Sequence, residues 1–181
     1  FNNHIGLPLT LLRLNESHNF CVLEVGCNHY NEISYLCTIA EPDFGMITNI
    51  GKEHLEFFKD LNGVAKAEFE LFDYLKEKKE GIIFINYDDT FIKKYSKGIK
   101  HEKKFSYSYM YNTDVKGRSE GYNKNFEPEI EISCGEKRFK TNISTFGRHS
   151  VYNGIAAAAA GLYFKVSINN IKKALKNFKP S

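Results

Sequence analysis

Short apolar runs alternate with segments of helical spacing along this chain, and no other feature constrains the fold as strongly. The apolar runs cover residues 20–25, 44–50 and 81–85, and each has a length suited to a buried strand. Apolar side chains recur at helical spacing in residues 31–40 and 61–78, which lie between the runs. Strands that alternate with helices predict an α/β domain with a mostly parallel sheet flanked by helices.

The pattern changes after residue 105, where polar and apolar positions alternate. We expect antiparallel strands in this region, including a hairpin formed by residues 128–133 and 137–143. These strands would add a small antiparallel portion to the sheet. Turns are expected at three glycines: Gly117, Gly121 and Gly135. Three more segments predict helices: 88–95, opened by an Asp-Asp pair, 149–164, with five consecutive alanines, and 168–178.

Composition excludes several classes of protein. Of the 181 residues, 42% are hydrophobic and 26% are charged, which is typical of a soluble globular chain and not of disorder or a coiled coil. No apolar run approaches the roughly 18 residues of a membrane-spanning helix, and no signal-peptide pattern is present, so we expect a cytoplasmic protein. The net charge of +3 does not argue for nucleic acid binding. The four cysteines lack CxxC spacing and are expected to be reduced thiols.

The first candidate site is the segment Leu-Glu-Val-Gly-Cys-Asn-His at residues 23–29, which includes the end of the first apolar run. A carboxylate inside an apolar strand is unfavourable unless it is paired or bound to a cation. Open α/β sheets also bind their ligands at the carboxyl ends of strands. Glu24 is therefore a candidate Mg²⁺ ligand, although an edge-strand glutamate that faces solvent fits the same pattern.

Two further segments combine charged side chains. His54 follows the second apolar run and lies between two glutamates, and such a group at a strand end can hold a divalent ion beside a phosphate. A solvated loop histidine is the alternative. In the helix predicted at 61–78, Lys66 and Glu70 are four residues apart and suited to pair on one face, whereas Glu68 lies on another. An ordinary amphipathic helix explains that segment as well.

The fourth candidate lies at the start of the alanine-rich helix, where Arg148, His149 and Asn153 are found. The free backbone N–H groups of a helix N-terminus favour anions, so these side chains suit a nucleotide. A simple capping segment fits equally well. The chain contains no GxxxxGK[ST] sequence, and therefore no phosphate-binding loop of that kind.

Five stretches, taken together and in this order, resemble the central ATP-binding domain of the Mur ligases. They are residues 2–10 (NNHIGLPLT), 23–29 (LEVGCNH) with Glu32 and Ile33, 48–51 (TNIG) with 54–56 (HLE), 63–67 (GVAKA), and 147–149 (GRH) with Tyr152 and Asn153. The resemblance covers nearly the whole chain. Within the family, the first stretch and the Gly-x-Asn-His turn favour the ligases that add D-alanyl-D-alanine to UDP-N-acetylmuramoyl-tripeptide, over relatives such as the folylpolyglutamate synthases.

The resemblance implies a P-loop NTPase-like fold that is incomplete here. In the family the phosphate-binding loop lies upstream of the segment that matches residues 2–8, so we expect Phe1 to fall just after it and the P-loop strand and helix to be lacking. Residues 1–178 would be a fragment of the central domain, and residues 179–181 the start of a linker to a C-terminal domain. An N-terminal domain that binds the uridine nucleotide is also implied. The fragment alone is expected to be inactive.

The resemblance also implies ATP and Mg²⁺ as cofactors and amide formation through an acyl phosphate. Glu24 matches the ligand of a first Mg²⁺ and His54 that of a second. Asn153 matches the residue near the adenine, with Arg148 and His149 beside it. Four residues match substrate-facing turns: Asn2, Asn3, Asn28 and His29. The substrates would be UDP-N-acetylmuramoyl-tripeptide and D-alanyl-D-alanine, with no nucleic acid partner and no membrane insertion, and the full-length protein would be a monomer.

Two positions depart from the family pattern. Where the family has a lysine modified to a carbamate, this chain has Glu68, and we expect its carboxylate to supply the same negative charge permanently. Carbamylation of Lys66 is the rival, which is disfavoured because helix positions two apart face different ways. Ser150 stands where the family more often has asparagine, which would weaken contacts to the adenine. A degenerate relative that binds a nucleotide or muropeptide without catalysis, and a ligase with another acceptor, remain alternatives.

Overall fold

The computed structural model describes residues 2–52, 55–145 and 147–179. Within them the chain forms eight α-helices, two short 3₁₀ helices and six β-strands. The helices are α1 (Gly6–Leu11), α2 (Glu32–Ala40), α3 (Leu55–Phe58), α4 (Leu61–Glu68), α5 (Glu70–Glu77), α6 (Thr90–Tyr95), α7 (Arg148–Tyr163) and α8 (Ile168–Asn177). The strands are β1 (Phe44–Met46), β2 (Ile82–Asn86), β3 (Lys104–Ser108), β4 (Val115–Tyr122), β5 (Pro128–Cys134) and β6 (Lys137–Asn142).

The six strands form one mixed sheet in the order β1-β2-β3-β4-β5-β6. Helices α3 to α5 connect β1 to β2, and α6 connects β2 to β3, as the crossovers between parallel neighbours require. Strand β3 pairs in parallel with β4, whereas β4 with β5 and β5 with β6 pair antiparallel. The predicted α/β class is confirmed: the sheet is mostly parallel, flanked by helices, and carries a small antiparallel portion.

The chain divides into two compact units. Unit 1 contains Phe1–Gly45 and Ile50–Ile83, and unit 2 contains Met46–Asn49 and Phe84–Ser181. In unit 2, α7 and α8 cover the sheet, and α7 approaches β4 closely because Gly117 has no side chain where it meets Ile155. The buried core of unit 2 includes Val115, Ile130, Ile132, Ile155, Ala158, Ala159 and Ile171. The buried core of unit 1 includes Leu7, Leu36, Val64, Phe72 and Leu75.

Side-chain caps fix the starts of three helices. Asp60 accepts a hydrogen bond from the Gly63 N–H at the start of α4, and Asp89 accepts from two N–H groups at the start of α6. Ser167 does the same at α8. An oxygen at this position satisfies backbone donors that have no partner inside the helix. The helices predicted at 88–95 and 168–178 are therefore confirmed, with ends shifted by one or two residues.

Residues 20–25 do not form the predicted strand. The segment has no regular secondary structure, and the side chains of Phe20 and Val22 are 66% and 92% exposed. An apolar run becomes a strand only when a neighbouring strand pairs with its backbone. Next to this segment, the Gly26 N–H donates to the Asn2 carbonyl at 3.0 Å, which is a single bond and not a ladder.

Other predicted elements differ in detail. The helix predicted at 61–78 breaks at Phe69, whose ring is buried and stacks on Phe72 at a centroid distance of 5.8 Å. Gly117 and Gly121 lie inside β4 instead of in turns, the first at the close contact with Ile155 and the second at an irregularity of the pairing. The parallel pairing of β3 with β4 was also not predicted, since the strands after residue 105 were all expected to be antiparallel. No helix in the described part of the chain is long and apolar enough to cross a membrane.

Candidate functional site

Two glutamates hold the turn that precedes α2. The Glu32 Oε2 atom accepts hydrogen bonds from the backbone N–H of Asn28 at 2.6 Å and of His29 at 3.1 Å. Its Oε1 atom lies 3.2 Å from Nδ1 of His29. The bond from the Asn28 N–H, with those from His29, lowers the pKa of Glu32 below the ordinary value of a carboxyl. The side chains of Asn28 and His29 are left exposed.

The second glutamate reaches the same turn from another helix. Glu70, the first residue of α5, accepts from the Asn31 N–H through Oε1 at 2.6 Å and from the Ser34 N–H through Oε2 at 3.0 Å. Asn31 has a positive φ of 70°, a conformation that asparagine tolerates better than most residues. The first turn of α2 therefore receives its carboxylate cap from a residue 39 positions away along the chain.

Aromatic side chains seat the turn against α3 and α4. The Lys66 Nζ lies 5.2 Å from the centroid of the Tyr30 ring, and the Tyr30 ring meets that of Phe58 at 5.3 Å. The His29 ring lies 5.2 Å from that of Phe57. Gly63 makes this packing possible, because a Cβ there would lie 2.0 Å from the Phe58 carbonyl oxygen. The predicted pair of Lys66 with Glu70 does not form, since each side chain contacts the turn instead.

Glu68 ends α4 and is half-buried near Cys27. Burial raises the pKa of the Cys27 thiol to about 12, and the charges of Glu68, Glu70 and Glu32 add to the effect in that order. The thiol is therefore protonated at neutral pH, and three carboxylates lie close enough to affect it. The structure brings Glu68, Lys66 and the Asn28-His29 turn together within unit 1.

Asn2 and Glu24 form a second polar contact in unit 1. The Asn2 Nδ2 donates to Glu24 Oε1 at 3.2 Å, and Gly26 leaves space for the Asn2 side chain. Glu24 is exposed, so the expectation of a carboxylate buried in a strand is wrong, and burial does not by itself require a cation there. Asn3 Oδ1 accepts from the N–H groups of Ile5 and Gly6, so this side chain caps the start of α1.

The predicted nucleotide residues lie in unit 2, on the first turns of α7. Arg148, His149 and Asn153 are exposed, whereas Ser150 is buried. The Tyr152 ring meets that of Tyr109 at 5.8 Å. The start of this 16-residue helix carries backbone N–H groups of the kind that favour an anion.

Asp88 fixes the loop that presents Tyr109. Its carboxylate accepts from the Ser108 hydroxyl and the Tyr109 N–H, both at 2.5 Å, and from the Met110 N–H at 3.0 Å. The Ser108 Oγ in turn accepts from the N–H groups of Met110 and Tyr111. The aromatic ring beside α7 is therefore held by a closed set of hydrogen bonds.

Two carboxylates are the metal-binding candidates that the structure describes. Glu24 and Glu68 offer the oxygen donors that Mg²⁺ prefers. His54 lies outside the described residues. Within the described residues, no group of three or more histidine, cysteine, aspartate or glutamate side chains is arranged to hold a metal.

Sequence reasoning missed the roles of Glu32 and Glu70. Glu32 sits at the first position of α2, where acidic residues are favoured, so the helix pattern held a signal for it. The sequence held no signal for the role of Glu70, because its bonds to Asn31 and Ser34 join distant parts of the chain.

The fold and these sites define an α/β domain whose polar side chains gather in loops and at helix starts, where such domains bind ligands. The Mur ligase middle domain model matches residues 1–161, and the chain belongs to this family. The family predicted from the sequence is therefore confirmed.

Related proteins and structures agree with this assignment. The chain is 33% identical over 176 residues to the UDP-N-acetylmuramoyl-tripeptide--D-alanyl-D-alanine ligase of Buchnera aphidicola subsp. Baizongia pistaciae, covering 97% of this chain and 38% of that protein. A crystal structure of MurF from Acinetobacter baumannii superposes with a TM-score of 0.87 at 27% identity, covering 99% of this chain and 39% of that one. MurF from Thermotoga maritima, solved in complex with ADP, shares the fold at a TM-score of 0.74 and 20% identity, over 97% and 40% of the two chains. The chain thus spans less than half the length of the proteins that it matches.

Proposed function

We propose that this chain is the central-domain part of an ATP-dependent ligase that adds D-alanyl-D-alanine to UDP-N-acetylmuramoyl-tripeptide, a step of peptidoglycan precursor synthesis. The observation that carries the proposal is 33% identity, over 97% of the chain, to a ligase of that name. Residues 1–178 belong to the central domain, and residues 179–181 begin the linker to a C-terminal domain. The whole protein is a cytoplasmic monomer.

The reaction joins two groups that do not combine spontaneously. A carboxylate oxygen of the tripeptide attacks the γ-phosphorus of ATP, and ADP leaves. The amine of D-alanyl-D-alanine then attacks the acyl carbon of the acyl phosphate, loses a proton, and phosphate departs with the former carboxylate oxygen. Mg²⁺, when bound, offsets the repulsion between carboxylate and phosphates. The protein contributes mainly by aligning the reactants.

The two units supply polar residues for different ligands. In unit 1, Asn28 and His29 present exposed side chains on a turn held by two carboxylates, which suits a substrate-binding surface. Asn2 and Asn3 complete the substrate residues, although the Asn3 Oδ1 also caps α1. In unit 2, the ATP adenine is bound beside α7 by exposed side chains at its start: Arg148, His149 and Asn153.

Glu24 and Glu68, together with His54, hold the Mg²⁺ ions. Glu68 carries the charge that a lysine carbamate supplies in relatives, and its half-buried position at the end of α4 supports this role. The Lys66 ammonium lies over the Tyr30 ring, and carbamylation of Lys66 would replace this contact with a negative charge. In the full-length protein, Glu68→Gln should strongly lower turnover and raise the Mg²⁺ concentration that the residual turnover requires, whereas Glu77→Gln at an exposed position of α5 should do neither.

Phosphate release by the full-length protein tests the activity. We expect release only when ATP, UDP-N-acetylmuramoyl-tripeptide and D-alanyl-D-alanine are all present. Release with an unrelated amine would indicate a ligase with another acceptor. Binding of the nucleotide or tripeptide without any release would indicate a degenerate relative.

A further inference from the structure

Glu70 is the one side chain of α5 that bonds to the turn bearing Asn28 and His29 among the contacts that the structure describes. Its two oxygens each accept one backbone N–H, from Asn31 at 2.6 Å and from Ser34 at 3.0 Å. These donors lie on either side of the start of α2. Both bonds need an acceptor, so the ionised carboxylate satisfies them better than any neutral side chain of the same shape.

The same residue lies two positions from Glu68, across the break at Phe69. A continuous helix would place residues 68 and 70 about 200° apart around its axis, given 100° per residue. The two bonds of Glu70 thus join the first residue of α5, two residues beyond the end of α4, to the start of α2, while Lys66 over Tyr30 and Glu32 at Asn28 hold other parts of the turn. The side chains of Asn28 and His29 take no part in these bonds, apart from the contacts of the His29 ring with Glu32 and Phe57.

We infer that Glu70 is a positioning residue for the ligase reaction: its carboxylate holds the Asn28-His29 turn in register with the α4–α5 junction, so that the tripeptide substrate is bound in the reactive geometry. This inference rests on the proposed function. Glu70 acts through the backbone of Asn31 and Ser34, from whose N–H groups it accepts hydrogen bonds. It therefore affects the tripeptide more than the ATP adenine, whose proposed residues lie in unit 2.

The test compares full-length wild type with Glu70→Gln, Glu70→Asp and the control Glu77→Gln. Glutamine keeps the shape of the side chain but turns one acceptor into a donor, which then faces a backbone N–H. We expect Glu70→Gln to lower kcat/KM for UDP-N-acetylmuramoyl-tripeptide by about 10- to 100-fold, the loss typical of a small misplacement. The KM for ATP should change by less than about threefold, which is well under the tenfold change that corresponds to 1.4 kcal/mol. Glu77→Gln, the same substitution at an exposed position of the same helix, should match wild type.

Amide hydrogen exchange provides a readout that does not depend on catalysis. Exchange at Asn31 and Ser34 should accelerate in Glu70→Gln and not in Glu77→Gln, because one of the two N–H groups then faces an amide donor and the bond that remains, to a neutral oxygen, is weaker. Glu70→Asp keeps both acceptors on a shorter side chain, and should be intermediate in exchange and in kcat/KM. This milder variant also serves if Glu70→Gln does not fold.

The outcomes separate the inference from the proposed function. Wild type without D-alanyl-D-alanine addition would overturn the proposed function, and with it this role of Glu70, even if exchange at Asn31 responded as expected. An active wild type with unchanged tripeptide kinetics in Glu70→Gln would overturn the inference alone. An equal rise in the KM for ATP and in the KM for the tripeptide would also overturn the inference. Such a result would indicate a general loss of structure, which affects both substrates alike.

Discussion

Replacing Gly117 with alanine tests how closely α7 approaches the sheet. Gly117 is buried in β4, opposite Ile132 of β5. A Cβ at this position would lie 2.2 Å from Cδ1 and 2.3 Å from Cγ1 of Ile155, but 3.4 Å from its Cβ. The new methyl group therefore collides with the isoleucine side chain, whereas it makes an ordinary contact with an alanine at position 155.

The geometry sets the expected free energies. Overpacking costs about 1–3 kcal/mol, and removing a strand glycine returns about 0.5–1 kcal/mol, so Gly117→Ala should destabilise by about 0.5–2 kcal/mol. Ile155→Ala should cost about 2–5 kcal/mol, because Ile155 is 1% exposed. With alanine already at position 155, Gly117→Ala should be neutral or stabilise by up to about 1 kcal/mol. The coupling between the two positions is then about 2 kcal/mol, within the range for residues in contact.

Urea unfolding of the wild type, both single variants and the double variant measures this coupling. Far-ultraviolet circular dichroism follows the transition, and the midpoint shift at constant slope gives each difference in unfolding free energy. We expect Gly117→Ala to change from destabilising to neutral or stabilising when Ile155 is replaced. An equal cost in both backgrounds, within about 0.5 kcal/mol, would refute the close packing of α7 on β4.

Three further predictions concern the turn of unit 1. Gly63→Ala should destabilise by about 3 kcal/mol, the upper end of the overpacking range, because its Cβ would meet the backbone oxygen of Phe58; the drop in Tm on thermal unfolding measures it. The pKa of Glu32 is lowered in the folded state, so its stabilisation is present above the ordinary carboxyl pKa of about 4.3 and is lost as pH falls through the lowered value; Glu32→Gln should reduce the loss of unfolding free energy between neutral and acidic pH. Burial raises the pKa of Cys27 to about 12, so iodoacetamide at mildly alkaline pH should alkylate the exposed Cys21 well before Cys27, as peptide mass spectrometry would show.

Local signals predicted much of the fold. The period of α7 and α8, the Asp89 cap of α6 and the Gly135 turn between β5 and β6 are each written in a few neighbouring residues. The strand predicted at 20–25 failed because an apolar run does not specify its partner. Gly117 was assigned to a turn because glycine is favoured both in turns and at close backbone contacts. The sequence alone does not distinguish the two.

The candidate site was predictable to the same extent. The Asn28-His29 turn follows from its sequence, and the structure holds it in place. The four-residue spacing predicted that Lys66 pairs with Glu70. In the structure the helix ends between the two residues, and Glu70 bonds to the Asn31 N–H instead. Contacts across 39 residues depend on the packing of α2 against α5, which local patterns do not contain.

Isotope transfer tests the proposed ligase reaction most directly. UDP-N-acetylmuramoyl-tripeptide labelled with ¹⁸O in its terminal carboxylate is incubated with the full-length protein, ATP and D-alanyl-D-alanine, and the released phosphate is analysed by mass spectrometry. We expect one ¹⁸O atom in each phosphate formed from fully labelled substrate, because the carboxylate oxygen that attacks the γ-phosphorus leaves with it. Phosphate without label, released at the rate of amide formation, would contradict the acyl-phosphate reaction that we propose for this Mur ligase domain.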